Sequence, residues 1–256
     1  MKSSLLKSLM VIGAVFMLIG CGSSSSSSDT PSNGGGNGDG PSSELPVDVQ
    51  NAIAGPMSTL TQDMKDSITY MYSEEGLAYD VYMNIYKIQA VQQLQKIAEN
   101  AEIRHIDAVN QLAIKYDLNM TQYPDTNIPY SVNGIGNGTY PVDTVQYLYN
   151  LLYSKGIQSE KDALEVGCMV EVVDIDDLDK FIGFAEASNA GDVLTVFNFL
   201  REGSYSHYWA FDEGLKNMGV TDGCCSLEPA LGHNFCHPEY PQKEKGGDGQ
   251  GGHGNK

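Results

Sequence analysis

The chain is short of positive charge. Its 256 residues carry 15 Lys and Arg against 33 Asp and Glu, a formal balance of −18. A surface of that sign repels phosphate backbones and anionic headgroups, which argues against nucleic acid as a partner and against electrostatic docking on a membrane. It attracts cations, although an acidic excess alone does no more than keep a solvated surface soluble. Apolar runs are also short: the stretch Leu9 to Leu18 is well below the roughly 20 residues a helix needs to span a bilayer. There is no repeated segment, no convincing β-run and no rubredoxin-like pair of cysteines. Phe235-Cys236-His237 lacks the first cysteine of a c-type haem attachment, because position 233 is His.

Lys2 and Lys7 flank the start of the apolar stretch, and Leu18-Ile19-Gly20-Cys21 follows it as a small-residue cleavage box with a cysteine behind it. This arrangement resembles a bacterial lipoprotein signal. The resemblance implies loss of residues 1–20, lipid on Cys21 and anchoring in the cell envelope, at an outer membrane if the cell has one, since Gly22 rather than Asp follows. An ordinary secretory peptide with a chance cysteine is the alternative. Cleavage would remove two basic residues and no acidic one, so the exported chain would be more negative still. Residues 21–43 are then a lipidated linker of Ser, Gly, Asn, Asp and Pro with nothing to bury. As a flexible coil it would hold the folded part on the order of 25 Å from the membrane.

Four cysteines remain: Cys168, Cys224, Cys225 and Cys236. Outside the cytoplasm an even number favours two disulfides, whose pairing the sequence does not reveal. A small metal cluster built from Cys224, Cys225, His233, Cys236 and His237 is the competing possibility. Residues 238–256 read as a disordered Gly-rich tail in which His253 lies; His233 and His237, beside it, are expected to face solvent.

Residues 44–237 are enough for one domain with a proper core. A first long helix is expected after Pro56, with Ile68, Met71, Glu75, Ala78, Tyr82 and Ile85 stepping by three and four along one face and Tyr72, Tyr79 and Tyr86 beside it. A second, about Val91 to Tyr116, places Leu94, Ala98, Glu102, His105, Val109 and Leu112 on one face. Asp117 to Pro141, with three prolines and Asn133-Gly134-Ile135-Gly136-Asn137-Gly138, reads as a long crossover connection. A short helix, about Val142 to Ser154, precedes Ser159-Glu160-Lys161-Asp162, which has the form of a capping box. The helix it opens turns Leu164, Cys168, Glu171, Asp174 or Ile175, and Leu178 inward. A last helix, about Asp192 to Met218, does the same with Phe197, Leu200, Ser204, His207 and Phe211. The expected fold is all-α, a four-helix bundle with a long crossover and a short extra helix.

The inward stripes of this bundle are polar at mid-height. Glu75, Glu102, His105, Glu171 and His207 all fall there, and an unpaired buried carboxylate costs several kcal/mol. A pair of divalent cations would compensate them, and so would a closed set of hydrogen bonds. In Glu102-Ile103-Arg104-His105 the three-residue step puts a carboxylate and an imidazole one turn apart on the same face.

These motifs resemble the ferritin-like superfamily. Glu75-Gly76-Leu77-Ala78-Tyr79-Asp80-Val81-Tyr82 is similar to the first helix of rubrerythrin-type members, Glu102-Ile103-Arg104-His105 to the second-helix motif, and Glu171-Val172-Val173-Asp174 to the third. More narrowly, with Gly203-Ser204-Tyr205-Ser206-His207, the chain resembles a secreted bacterial branch whose function is unassigned. The resemblance implies Glu75, Glu102, His105, Glu171 and His207 as metal ligands and Tyr82 as a catalytic residue beside the centre. Ser204 stands where the superfamily pattern has Glu. Asp174, one turn from Glu171, could replace it as a ligand or support the ligands as a hydrogen-bond partner, whereas Glu202 lies roughly 140° around the helix from His207. Iron or manganese suits this oxygen-rich set better than structural zinc. The implied activity is an oxidoreductase acting on peroxide, dioxygen or Fe(II), with a separate electron donor; a homodimer is compatible. A non-catalytic metal-binding or interaction module, and a structural envelope lipoprotein with a vestigial site, are the alternatives.

Overall fold

The structure, a computed structural model, describes residues 44–118, 137–140 and 142–242. Helices α1 (Val47–Ala54), α2 (Gln62–Gln89), α3 (Gln92–Ile97), α4 (Ile103–Lys115), α5 (Asp143–Gly156), α6 (Glu160–Ala187) and α7 (Gly191–Asn217) account for most of them. A π-helical turn at Ala98–Glu102 joins α3 to α4, and a 3₁₀ turn follows α7 at Gly223–Ser226. No strand occurs among the described residues, and none of the helices there is long and apolar enough to cross a membrane. The proposed signal, Cys21 and the linker lie outside the described residues, as do His253 and most of the connection between α4 and α5.

Local chemistry explains the helix boundaries. The Thr61 hydroxyl accepts from the Met64 amide at 3.3 Å and opens α2, five residues beyond the start expected from Pro56. Proline suits a first turn, but Thr61 satisfies an amide that would otherwise be orphaned, and the boundary follows the cap. Ser159 accepts from the Asp162 amide at 3.0 Å and donates to its carboxylate at 2.5 Å, so the cap forms with the Asp162 carboxylate bound to the Ser159 hydroxyl in place of the Ser159 backbone amide. Asn189, at φ 53°, ends the α6 hairpin in the left-handed region that Asn tolerates. Helix α1 was not anticipated by the helical stripes.

The two central helices are covered on every side at mid-length. Every residue from Met71 to Ala78 of α2 and from Ala163 to Ile175 of α6 is buried, which an amphipathic surface helix never shows. Apolar packing divides into two clusters. One gathers Val81, Tyr82, Leu94, Leu164, Cys168 and Phe211; the other gathers Ile68, Met71, Val109, Leu178, Phe197 and Leu200. A polar layer of Glu75, Glu102, His105, Glu171, Asp174, Ser204 and His207 belongs to neither.

The segment after α7 is fastened to α6 by the disulfide Cys168–Cys224 and closed on itself by Cys225–Cys236. With all four sulfurs so joined, no thiolate remains for the Cys-His metal cluster considered above. The described residues also run past 237, to 242. The Trp209 indole donates to Tyr240 and Pro241 carbonyls, and Tyr240 packs against His237 with ring centroids 4.4 Å apart. The histidines beside the tail are accordingly half-buried rather than free in solvent, and His233 meets Asp176 at 2.5 Å.

Candidate metal centre

Glu75 comes from the middle of α2, Glu102 from the last residue of the π turn, His105 from α4, Glu171 from α6 and His207 from α7. All five are buried, at 1, 2, 2, 2 and 7% exposure. Glu102 stands at the centre. One of its oxygens lies 3.2 Å from His105 Nδ1, and the other 3.0 Å from His207 Nδ1. Glu75 approaches His105 Nδ1 at 3.1 Å, and Glu171 approaches His207 Nδ1 at 3.4 Å. The side chains thus form two sets of three, Glu75–Glu102–His105 and Glu102–Glu171–His207, each with its ligand atoms within 4.8 Å of one another and both containing Glu102. The imidazoles tilt toward each other with ring centroids 5.6 Å apart.

Several of these polar atoms face one another without bonding. Glu102 Oε1 and His207 Nδ1 are 3.0 Å apart, yet neither completes a hydrogen bond, and Glu75 Oε1 and Asp174 Oδ1 are also buried without a partner. A closed hydrogen-bond network would leave no such atoms, because each unmet buried group costs on the order of 1–3 kcal/mol. Lone pairs converging on a common space are what a cation requires. An oxygen-rich set with two imidazole nitrogens fits iron or manganese.

The electrostatics carry the same signature. Desolvation pushes the Glu75 carboxyl well above its usual range, and the charges of Asp174 and Glu102 push it further. Burial also raises Glu171, against the pull of His207. For Glu102 burial is outweighed by His207 and His105, and its carboxyl is lowered. Burial disfavours a charged His207, but Glu171 and Glu102 more than reverse this and lift it to about 10; His105 is raised too, despite its burial, by Glu102. Without a metal, the cluster takes up protons in place of cations.

Tyr82 donates a short hydrogen bond to Glu171 Oε1, so it touches a candidate ligand, and its ring packs on Phe211 at 5.3 Å. Asp174, expected either as a ligand or as a partner to the ligands, lies buried beside the centre. It belongs to neither ligand set; Ser204 donates to its Oδ2 at 2.5 Å, and burial lifts it to about 8. Ser204 therefore holds the Asp174 carboxylate. Glu202 lies at the surface, away from both sets.

Three residues here escaped the reading of the sequence. Glu74 is 3% exposed with both carboxylate oxygens unpartnered. Its only signal is the doublet Glu74-Glu75 on a helix buried all round. Gly203 packs so closely on the His105 ring that a β-carbon there would stand 2.4 Å from Nε2. Arg104, inside the Glu-x-x-His step, lies over the Phe199 ring at 5.7 Å.

A family model described as an uncharacterized protein domain, DUF2202, matches residues 64–227, which include both ligand sets, Tyr82 and Asp174. Uncharacterized protein MJ0754 of Methanocaldococcus jannaschii is 35% identical over 164 residues, covering 64% of this chain and 81% of its own length. The crystal structure of hypothetical protein MJ0754 from Methanococcus jannaschii is similar with a TM-score of 0.56 at 34% identity, covering 64% of this chain and 86% of that one.

Proposed function

The chain belongs to the DUF2202 family, and from that premise we propose that its bundle is ferritin-like and that the polar layer is a two-metal centre. Glu102 would bridge, Glu75 with His105 would complete one site, and Glu171 with His207 the other. The observation that carries this reading is the sharing of Glu102 by two buried three-ligand sets. Iron or manganese bound there would supply redox chemistry toward peroxide, dioxygen or Fe(II). The chain's own residues orient and shield that chemistry: Tyr82 holds Glu171 and offers a phenolic proton at its hydroxyl, Ser204 fixes Asp174, and the two apolar clusters exclude water above and below. No cysteine is free among the described residues to pass electrons inward, so turnover would draw on a separate donor.

A passive metal-binding module is the second reading, favoured by the Ser204 departure, which leaves the centre one carboxylate short of the superfamily pattern. The deciding experiment is elemental analysis of the purified chain followed by iron loading. Two iron or manganese ions per chain, with peroxide decay or oxidation of added Fe(II), would support the oxidoreductase. Metal without either reaction would support the passive module, and a chain with no metal after growth in iron-rich medium would refute the centre.

We also propose that the protein is exported and lipid-anchored through Cys21. The motif Leu18-Ile19-Gly20-Cys21 supports this, and so does the presence of two disulfides, which persist in oxidising compartments. Mass spectrometry of the N-terminal peptide tests it: an unmodified Cys21, or an intact residue 1–20 segment, would overturn it.

A further inference from the structure

Behind the histidines, on the side away from the carboxylates, a cleft of about 330 Å³ opens between the start of α4 and the middle of α7. Arg104, His105, Phe199, Glu202, Gly203 and His207 are among the residues that line it. Both imidazoles present Nδ1 to the carboxylates, at 3.0 to 3.4 Å. The opposite edge of His207 is therefore turned to the cleft it lines, whereas that of His105 is packed on Gly203. Among the described residues neither Nε2 has a protein acceptor. A histidine that gives Nδ1 to a metal keeps its proton on Nε2 and ordinarily donates it to a carboxylate, carbonyl or water.

Arg104 brings a second unmet donor. Although the chain is strongly acidic, its guanidinium forms no ion pair among the described residues; it lies on the Phe199 ring, and its Nε is buried without a hydrogen-bond partner. Ser206 has already spent its hydroxyl proton on the Glu202 carbonyl at 3.0 Å. The cleft thus offers the Arg104 guanidinium as a fixed positive charge, and among the described residues that line it Glu202, which is exposed, brings the one carboxylate.

We propose that this cleft binds a small oxyanion, a carboxylate or a phosphate-type group, seated on the Arg104 guanidinium with the Nε2–H group of His207. Planar guanidinium matches either anion with two parallel hydrogen bonds. The histidine contribution rests on the metal-centre reading, because metal on Nδ1 is what fixes the proton on Nε2; the Arg104 contribution does not. Such an anion would act through the His207 imidazole, tuning the centre from behind.

Isothermal titration of the full chain with inorganic phosphate, and separately with formate, tests the site, with metal content measured on every sample. The expected result is saturable binding of at least one of the two anions, and the pair of titrations distinguishes a phosphate-type from a carboxylate ligand. Arg104→Gln should weaken it by about tenfold or more, the loss of one charge-assisted contact. Arg104→Lys should fall in between, and Glu202→Gln should bind more tightly because the competing rim charge is gone. No saturable binding of either anion would overturn the proposal. Equal affinity in Arg104→Gln would do the same, since it would place the anion elsewhere, for instance on the metal itself. Wild type and variants are compared at equal metal content, so a metal-free preparation, which would count against the centre, still decides the cleft.

Discussion

Gly203 and His105 are in direct contact: a β-carbon on Gly203 would lie 2.4 Å from His105 Nε2 and 2.5 Å from Cε1. Real β-carbons do not approach other atoms so closely, so Gly203→Ala must push the ring off its Nδ1 contacts with Glu75 and Glu102 or force α7 outward. Overpacking of this kind typically costs about 1–3 kcal/mol. Gly183 on α6 has nothing within 4 Å of its hypothetical β-carbon, and Gly183→Ala should gain up to about 1 kcal/mol from helix propensity. Metal titration and thermal melting of the two variants should separate. Gly203→Ala loses metal affinity and stability, Gly183→Ala neither, and wild-type metal binding by Gly203→Ala would show that the ring is not positioned by this contact.

Glu102 serves both histidines, so its loss should empty both sites together. Glu102→Gln keeps the shape but puts an amide where two cations would share a carboxylate. Purified Glu102→Gln should carry no metal, whereas Glu202→Ala, at the surface, should carry the wild-type amount. Breaking one partner from a buried charge cluster costs roughly 3–5 kcal/mol, so metal-free Glu102→Gln should also unfold at lower denaturant than the metal-free wild type. Equal metal content in Glu102→Gln and Glu202→Ala would remove the centre from this location.

The polar layer was legible in the sequence because α-helical spacing is insensitive to detail. Steps of three and four put Glu75 with Ile68 and Tyr82, and His207 with Phe197 and Phe211, whatever the helix ends do. What was not legible depends on the third dimension. The π turn at Ala98–Glu102 leaves no compositional mark, since one extra residue per turn requires no particular side chain. Glu74 escaped because the stripe argument assigns one face to the interior, whereas the middle of α2 has no outer face. Gly203 matters through an atom it lacks. The pairing of four cysteines follows from where the segment after α7 returns to α6, which no spacing encodes.

The two disulfides should contribute unequally. Cys168–Cys224 closes a separation of 56 residues and Cys225–Cys236 one of 11. By loop entropy alone the first stabilises by about 4 kcal/mol and the second by about 3. The larger difference is in packing: Cys168 and Cys224 are wholly buried, and Cys168 lies one turn before Glu171 on α6. The double substitution Cys168→Ala with Cys224→Ala should therefore lower the melting temperature more than Cys225→Ala with Cys236→Ala, and only the former should also weaken metal binding. The reverse order, measured by calorimetry under matched conditions, would show that the segment after α7 contributes more than the α6 staple.

Acid should stabilise the metal-free chain and destabilise the metal-loaded one. Asp174, lifted by burial to about 8, and Glu75 and Glu171, also raised, hold protons in the folded state that an unfolded chain releases near pH 4. His207, lifted to about 10 by Glu171 and Glu102 against its burial, keeps a proton that an unfolded histidine loses near 6.5. A raised folded value contributes stability that is complete below the unfolded value and vanishes as pH climbs through the folded one, so these groups lose their contribution between about pH 4 and 10. Glu102, lowered, works the other way, but only at the acidic end. Repulsion across the acidic surface has the same sign as the buried groups, but salt screens it, whereas buried charges are screened far less. With a chelator in high salt, the melting temperature should therefore be higher at pH 5 than at pH 8. With iron or manganese bound the order should invert, because protons and metal compete for the same lone pairs. A chelated chain that melts higher at pH 8 in high salt would mean that the layer is not the proton-loaded cluster described here.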